Sequence, residues 1–225
     1  MGKSDSLYKY TRLEFINSSL NNGIFASKID SLNDPYESDS IFEGNCDDYR
    51  VVCLSRSRNK KLMWSHYANG HRGCSIKIAL PDNYGIDDCL LKRVQYTSKY
   101  NPRRNLDTKE IVDSLYTKDK KWDYELEVRA VYSSLSSRDD CWKKYRNNIF
   151  YKVDITQIDF GCFSHFDDHY LDALIAIRDY NVNHKKKIKI RKYKMSHEKY
   201  AFVIDHSFNY LTEIDELIND EEGKK

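Results

Sequence analysis

Hydrophobic positions along this chain recur in two rhythms, one near every third or fourth residue and one at every second residue. Leu13, Ile16 and Leu20 share one helical face, with Thr11 as the expected cap and Gly23 as the left-handed terminator. A second helical pattern runs through Leu62, Met63, Trp64, His66 and Tyr67, from Asn59 as its expected cap to Gly70. Further helices are predicted over Lys109–Tyr116 and Asp168–Tyr180. Strands are predicted over Gly23–Ser27, Tyr49–Ser57, Cys74–Ile78, Arg93–Tyr96, Ile149–Ile155, Lys187–Tyr193 and Tyr200–Ile204. Asn33-Asp34-Pro35 reads as a turn, because proline fixes its own φ and disfavours the helical region for the residue before it. Hairpin-like neighbours mixed with helices predict an α+β fold: a single domain over 7–205 with a mixed, largely antiparallel sheet and flanking helices. Residues 206–225 then form a C-terminal helix or tail.

Composition narrows the field. The 37 basic and 35 acidic residues leave a formal charge of only +2, so no global basic field demands a nucleic acid or an anionic membrane. No apolar run approaches the roughly 18 residues of a membrane span, and an apolar signal segment is lacking, so no membrane partner is expected. Six cysteines without CxxC spacing fit reduced thiols and a cytoplasmic protein. Only the ends, Met1–Ser6 and Glu221–Lys225, have the composition of disorder.

The segment Trp122-Asp123-Tyr124-Glu125-Leu126-Glu127-Val128-Arg129 carries the strongest chemical signal. Its alternation predicts a half-buried strand with Glu125, Glu127 and Arg129 in one row, about 7 Å per step. Two neighbouring carboxylates resist joint ionisation and an adjacent guanidinium favours it, which can tune one of them for acid, base or cation-stabilising work. An exposed cross-strand ion pair is the plainer reading of the same spacing.

Four other segments matter. Leu62–Gly73 gathers Trp64, His66, Tyr67 and His71, a stacking platform with proton or phosphate partners, or else a core helix with satisfied histidines. Trp64, His66, Tyr67 and His71 are expected near Glu125 and Glu127 around one cleft, and the Asn33-Asp34-Pro35 turn beside it, with Asp34 or Glu37 orienting a base such as Arg72 or Arg129. His165 and His169 have the spacing of a helical metal pair, yet no third ligand stands out, so they read as a helix start with Asp167 and Asp168 at its positive end and no metal site. The run Lys185–Lys194 guards a sheet edge or contacts phosphates. Walker, GxGxxG and GxSxG motifs are absent.

Taken in order, Leu7-Tyr8-Lys9-Tyr10, Asn33-Asp34-Pro35-Tyr36-Glu37, Met63-Trp64-Ser65-His66-Tyr67 with His71 and Gly73, and Lys118 through Trp122-x-Tyr124-Glu125-x-Glu127-x-Arg129 resemble a widespread bacterial domain family of unknown function. Thr11 stands where that opening motif commonly has arginine. Glu125-x-Glu127 is also similar to the glutamate pair of ADP-ribosyltransferases, in which an aromatic stacks on nicotinamide and a glutamate stabilises the ribosyl cation. That second resemblance implies an enzyme directed at a nucleotide or nucleic acid, a toxin or phage-defence effector. It implies Glu127, Glu125 and His71 as catalytic residues and Trp64, His66, Tyr67, Arg129, Asn33 and Asp34 as substrate-binding ones. NAD is then a candidate substrate, and no cofactor is otherwise called for. The competing expectation is a non-catalytic module, a sensor or inhibitor that binds a nucleotide or a protein partner with the same residues.

Overall fold

Val51, Val52 and Leu54 are buried side by side on the strand Tyr49–Ser55 (β3), and this β-branched, apolar run explains why the segment is extended. The computed structural model describes residues 6–39, 48–79, 91–100, 107–134 and 139–222. Cys46, Cys89 and the chain ends at 1–5 and 223–225 lie outside the described residues. The fold is α+β with a mixed, mostly antiparallel sheet structure, as the hydrophobic pattern predicts. Two compact units share the chain, each assembled from segments far apart in sequence.

Unit 1 takes the described parts of 1–7, 22–57 and 80–153. The ranges of the elements before β3 are Leu7–Thr11 (β1), Ile16–Asn22 (α1), Ile24–Phe25 (β2) and Pro35–Asp39 (α2). After it come Lys61–Tyr67 (α3), Cys74–Ala79 (β4), Leu91–Arg93 (β5), Gln95–Thr97 (β6), Thr108–Ser114 (α4), Thr117–Asp119 (β7) and Glu127–Ser133 (β8). In unit 1, β8 lies between β3 and β5 and is antiparallel to both, with Cys53 opposite Arg129 and Ser55 opposite Glu127. Strands Trp142–Tyr145 (β9) and Asn148–Tyr151 (β10) form a hairpin that adds β2, and β6 runs parallel to β7. Ile29, Tyr49, Val51, Leu115, Tyr116 and Val131 form a buried core cluster here.

Unit 2 takes 8–21, 58–79 and the described parts of 154–225. Its strands Asp154–Phe160 (β11), Lys189–Met195 (β12) and Phe202–Ile204 (β13) follow β1 and β4 in the order β13-β12-β11-β4-β1. The β11–β12 pair is parallel; β4–β11 and β12–β13 are antiparallel. Helices Tyr170–His184 (α5) and Tyr210–Glu222 (α6) complete it, so the C-terminal segment is helical through Glu222.

Several local expectations are corrected. Thr11 ends β1, and the chain enters α1 through a 3-10 turn at Leu13–Phe15 without a side-chain cap. Asn59 does not cap α3 either; Lys60 occupies that place, again without a side-chain bond. Gly23 does terminate α1 at φ 98°, and a Cβ there would sit 2.3 Å from the Tyr151 carbonyl oxygen. The largest difference concerns Trp122–Glu125. These residues belong to a 3-10 helix, Lys120–Glu125, and the strand begins only at Glu127 after Leu126 turns left-handed at φ 47°. Period-two alternation cannot separate a short 3-10 helix plus strand from one longer strand. All seven residues of β8 are buried, so its pattern is not half-exposed.

Candidate functional site

Three segments of unit 1 converge on one buried cluster of charges. The first turn of α2 brings Glu37, β7 brings Lys118, and the 3-10 helix and β8 bring Glu125, Glu127 and Arg129. Asp34 builds the first of these: its Oδ1 accepts from the Tyr36 amide at 3.0 Å and its carbonyl accepts from the Glu37 amide. Pro35 at the first helical position lacks only an amide that would have had no intrahelical partner. The left-handed Leu126 does the equivalent work for the third segment, since it lets both flanking glutamates reach the same lysine.

Lys118 lies among three carboxylates, with Nζ 2.7 Å from Glu125, 3.5 Å from Glu127 and 3.5 Å from Glu37. The Trp122 ring covers it, with the centroid 4.7 Å away. Arg129, 0% exposed, grips Glu127 through Nε at 2.8 Å and Nη2 at 2.9 Å. It also donates Nη1 to the Leu115 carbonyl at 2.7 Å and makes a close ion pair with Glu37 through Nη2. Of the acids and arginines expected to pair beside the turn, Glu37 with Arg129 is the pair found. The Glu127 amide donates to the Tyr96 hydroxyl at 2.8 Å. A solvated strand face, the plainer reading of the glutamates, is ruled out by this burial.

The charges set the titration. Burial alone would push the Glu127 carboxyl up, but the Arg129 guanidinium, the Lys118 ammonium and hydrogen bonds from Arg129 and Cys53 outweigh it and hold it down to about 2. Burial also pushes Glu37 up, and there the attraction of Arg129 and Lys118 does not overcome it. Burial disfavours the Lys118 and Arg129 charges, yet the glutamates around them keep both well above their ordinary ranges. Two carboxylates on the same cations are thus driven apart, Glu127 toward permanent ionisation and Glu37 toward holding a proton.

Glu37 and Lys118 also line a cavity of about 630 Å³. Its wall includes Asp34, Tyr36, Tyr100 and Lys99, and the Tyr36 and Tyr100 rings meet at 5.1 Å between centroids. Glu125, Glu127 and Arg129 stand behind that wall and are not part of its lining. Asn33 is exposed and Asp34 is buried.

The remaining candidates belong to unit 2, and the described partners of Trp64 and His71 are that unit's own residues. Trp64 is fully buried, edge-on to Tyr10 and Tyr193. His71 turns left-handed at φ 69°, its ring lies against Phe202 and Phe163, and burial followed by the nearby Lys61 charge lowers its pKa. His66 is exposed and Tyr67 half-buried. His165 sits on a 3-10 turn and His169 precedes α5, so their spacing is not that of one helix; the Asp167 carboxylate accepts from the His169 amide. No group of three metal-ligating side chains occurs among the described residues. Four cations of the lysine-rich run have acidic partners: Lys186 with Asp154, Arg191 with Asp159, Lys192 with Glu213 and Lys194 with Asp205. No helix among the described residues is long and apolar enough to cross a membrane.

Lys118, Tyr36 and Tyr100 were not singled out as site residues by the sequence. Lys118 stands among Lys120 and Lys121, and nothing in the composition of that run distinguishes a buried lysine from its solvated neighbours. Its distance of seven residues from Glu125 was the available signal.

No family profile, no curated protein and no solved structure matches the chain. The resemblances described from its motifs rest on those motifs alone.

Proposed function

We propose that unit 1 is the working part of an enzyme directed at a nucleotide or nucleic acid, with Glu37 as its proton carrier. The observation that carries this reading is the placement of Glu37, a carboxyl with a raised pKa, between a buried charge cluster and an open cavity. Glu37 serves as the general acid, and Lys118 and Arg129 fix its carboxyl. Glu125 and Glu127 act through those cations as positioning residues. Tyr36 and Tyr100, 57% and 48% exposed, offer aromatic faces to a base or nicotinamide ring. NAD is the first substrate to test, as its nicotinamide ring is planar and cationic.

The test is incubation of the pure protein with NAD and, separately, with labelled RNA and DNA, followed by product analysis. Turnover that falls about 100-fold in Glu37→Gln supports the reading. Saturable binding without turnover moves the protein to the other expectation, a non-catalytic sensor or inhibitor. That alternative draws support from the ion pairing of Glu125 and Glu127, which is as well suited to a rigid scaffold as to catalysis.

A further inference from the structure

The cavity of unit 1 has a chemical preference that its charge cluster does not explain. Its wall carries five acids, Asp34, Glu37, Glu110, Asp113 and Asp119, against two lysines, Lys99 and Lys118. Lys118 is already held by Glu125, Glu127 and Glu37, Glu37 is shared with Arg129, and Asp113 pairs with Lys92, which leaves Asp34, Glu110 and Asp119 against the exposed Lys99. A phosphate entering this space would meet mostly like charge. A positively polarised group would meet the reverse.

Asp34 supplies an independent sign of what enters. It is only 2% exposed, and its Oδ1 is used by the Tyr36 amide. Its other oxygen, Oδ2, is buried with no hydrogen-bond partner among the described residues. A buried carboxylate oxygen without a donor carries a desolvation cost that an incoming N–H group would offset. Beside it, Tyr36 and Tyr100 present rings at the same wall, and aromatic faces attract cations as well as planar groups.

We infer that this cavity takes a planar, N–H-rich group, an amidine or guanidine edge, with its donors directed at Asp34 Oδ2 and its plane against Tyr36 and Tyr100. Any phosphate on the same molecule then stays outside, toward Lys99. The inference rests on the cavity being the substrate site of the proposed enzyme, and it names the part of the substrate that is read there. Guanine satisfies it through its adjacent N1–H and N2–H₂ donors; uracil, with a single N–H between two carbonyl acceptors, does not.

Titration of the full chain with benzamidine, followed by calorimetry, tests it with the smallest such group. Saturable binding is expected, about ten-fold weaker in Asp34→Asn, because asparagine keeps the Oδ1 cap and replaces Oδ2 with a donor. The thermal midpoint of that variant should match the parent. Tyr36→Leu should weaken benzamidine about three-fold or more while leaving the fold intact, since the Tyr36 ring is largely exposed. Benzoate, of the same shape and opposite charge, should not bind. Absence of benzamidine binding, equal affinity in Asp34→Asn, or benzoate binding as well as benzamidine would each overturn the inference. Glu37→Gln separates the two ideas: unaltered turnover in that variant, with benzamidine still dependent on Asp34, sinks the acid role and leaves this recognition standing.

Discussion

Arg129 holds two glutamates at once in a place where solvent does not screen them, so its removal should be felt far more than that of a surface arginine. Arg129→Met leaves Glu127 and Glu37 with Lys118 as their remaining cation. Breaking a buried ion pair from one side costs about 3–5 kcal/mol, and urea denaturation should show a loss of that size. A loss below about 1 kcal/mol, the surface value, would mean that the cluster is solvated. Glu37 and Glu127 should give opposite pH signatures. The folded carboxyl of Glu127 lies at about 2 against an ordinary 4.5, so its stabilisation is full above pH 4.5 and is lost as pH falls toward 2. Glu37 is raised, so its contribution is full below pH 4.5 and is lost as pH rises through its folded value. Glu37→Gln should therefore flatten the stability profile on the alkaline side and leave the acid-side loss in place. Denaturation midpoints measured across about pH 3 to 8 check both limbs. An unchanged alkaline slope would show that Glu37 is not the group holding the proton.

At the scale of elements, the backbone places its own demands at α1 and α5. Gly23 occupies φ 98° with the Tyr151 carbonyl where a Cβ would be, so Gly23→Ala is expected to destabilise by more than the roughly 1 kcal/mol of left-handed strain alone. Lys185 caps α5 in the left-handed region at φ 50° and is exposed, which makes Lys185→Gly a gain of about 0.5–1 kcal/mol and a rise in thermal midpoint. Both cases turn on backbone conformation, which the hydrophobic pattern does not encode except where glycine marks it. That difference also decides what the sequence makes legible. Val51 with Cys53, and Ile76 with Ile78, have a period that survives into the strands β3 and β4. Gly23 announces its terminus. Leu126 does not: a leucine at φ 47° looks like any other apolar position, and so the alternation runs on from Trp122 although the strand begins only at Glu127. The charge cluster was half legible for a related reason. Glu125-x-Glu127-x-Arg129 stands out because carboxylates and a guanidinium share a short spacing, whereas Lys118 is made exceptional by tertiary burial among three glutamates. Trp64 shows the converse, an aromatic that drew attention as a stacking surface and is instead buried against Tyr10 and Tyr193.

For the whole molecule, a net charge of +2 conceals strong local fields. The acidic wall of the unit-1 cavity and the paired lysines of unit 2 are features that a sum over the chain erases. Because several acids on that wall are solvent-facing, benzamidine affinity should weaken as salt is raised from about 0.05 to 0.5 M, over which the Debye length falls from roughly 14 to 4 Å. Affinity unchanged by salt would assign recognition to Asp34 alone.

The cluster also has an odd number of charged members. Three carboxylates and two cations cannot reach neutrality by pairing among themselves, and Glu37, raised by its burial, is the member of the cluster that takes up a hydrogen ion most readily. A positively charged guest arriving beside Glu37 competes with that hydrogen ion for the same site. Occupancy of the cavity by benzamidine should then acidify the medium, and the heat of binding should change with the ionisation enthalpy of the buffer, a dependence that vanishes in Glu37→Gln.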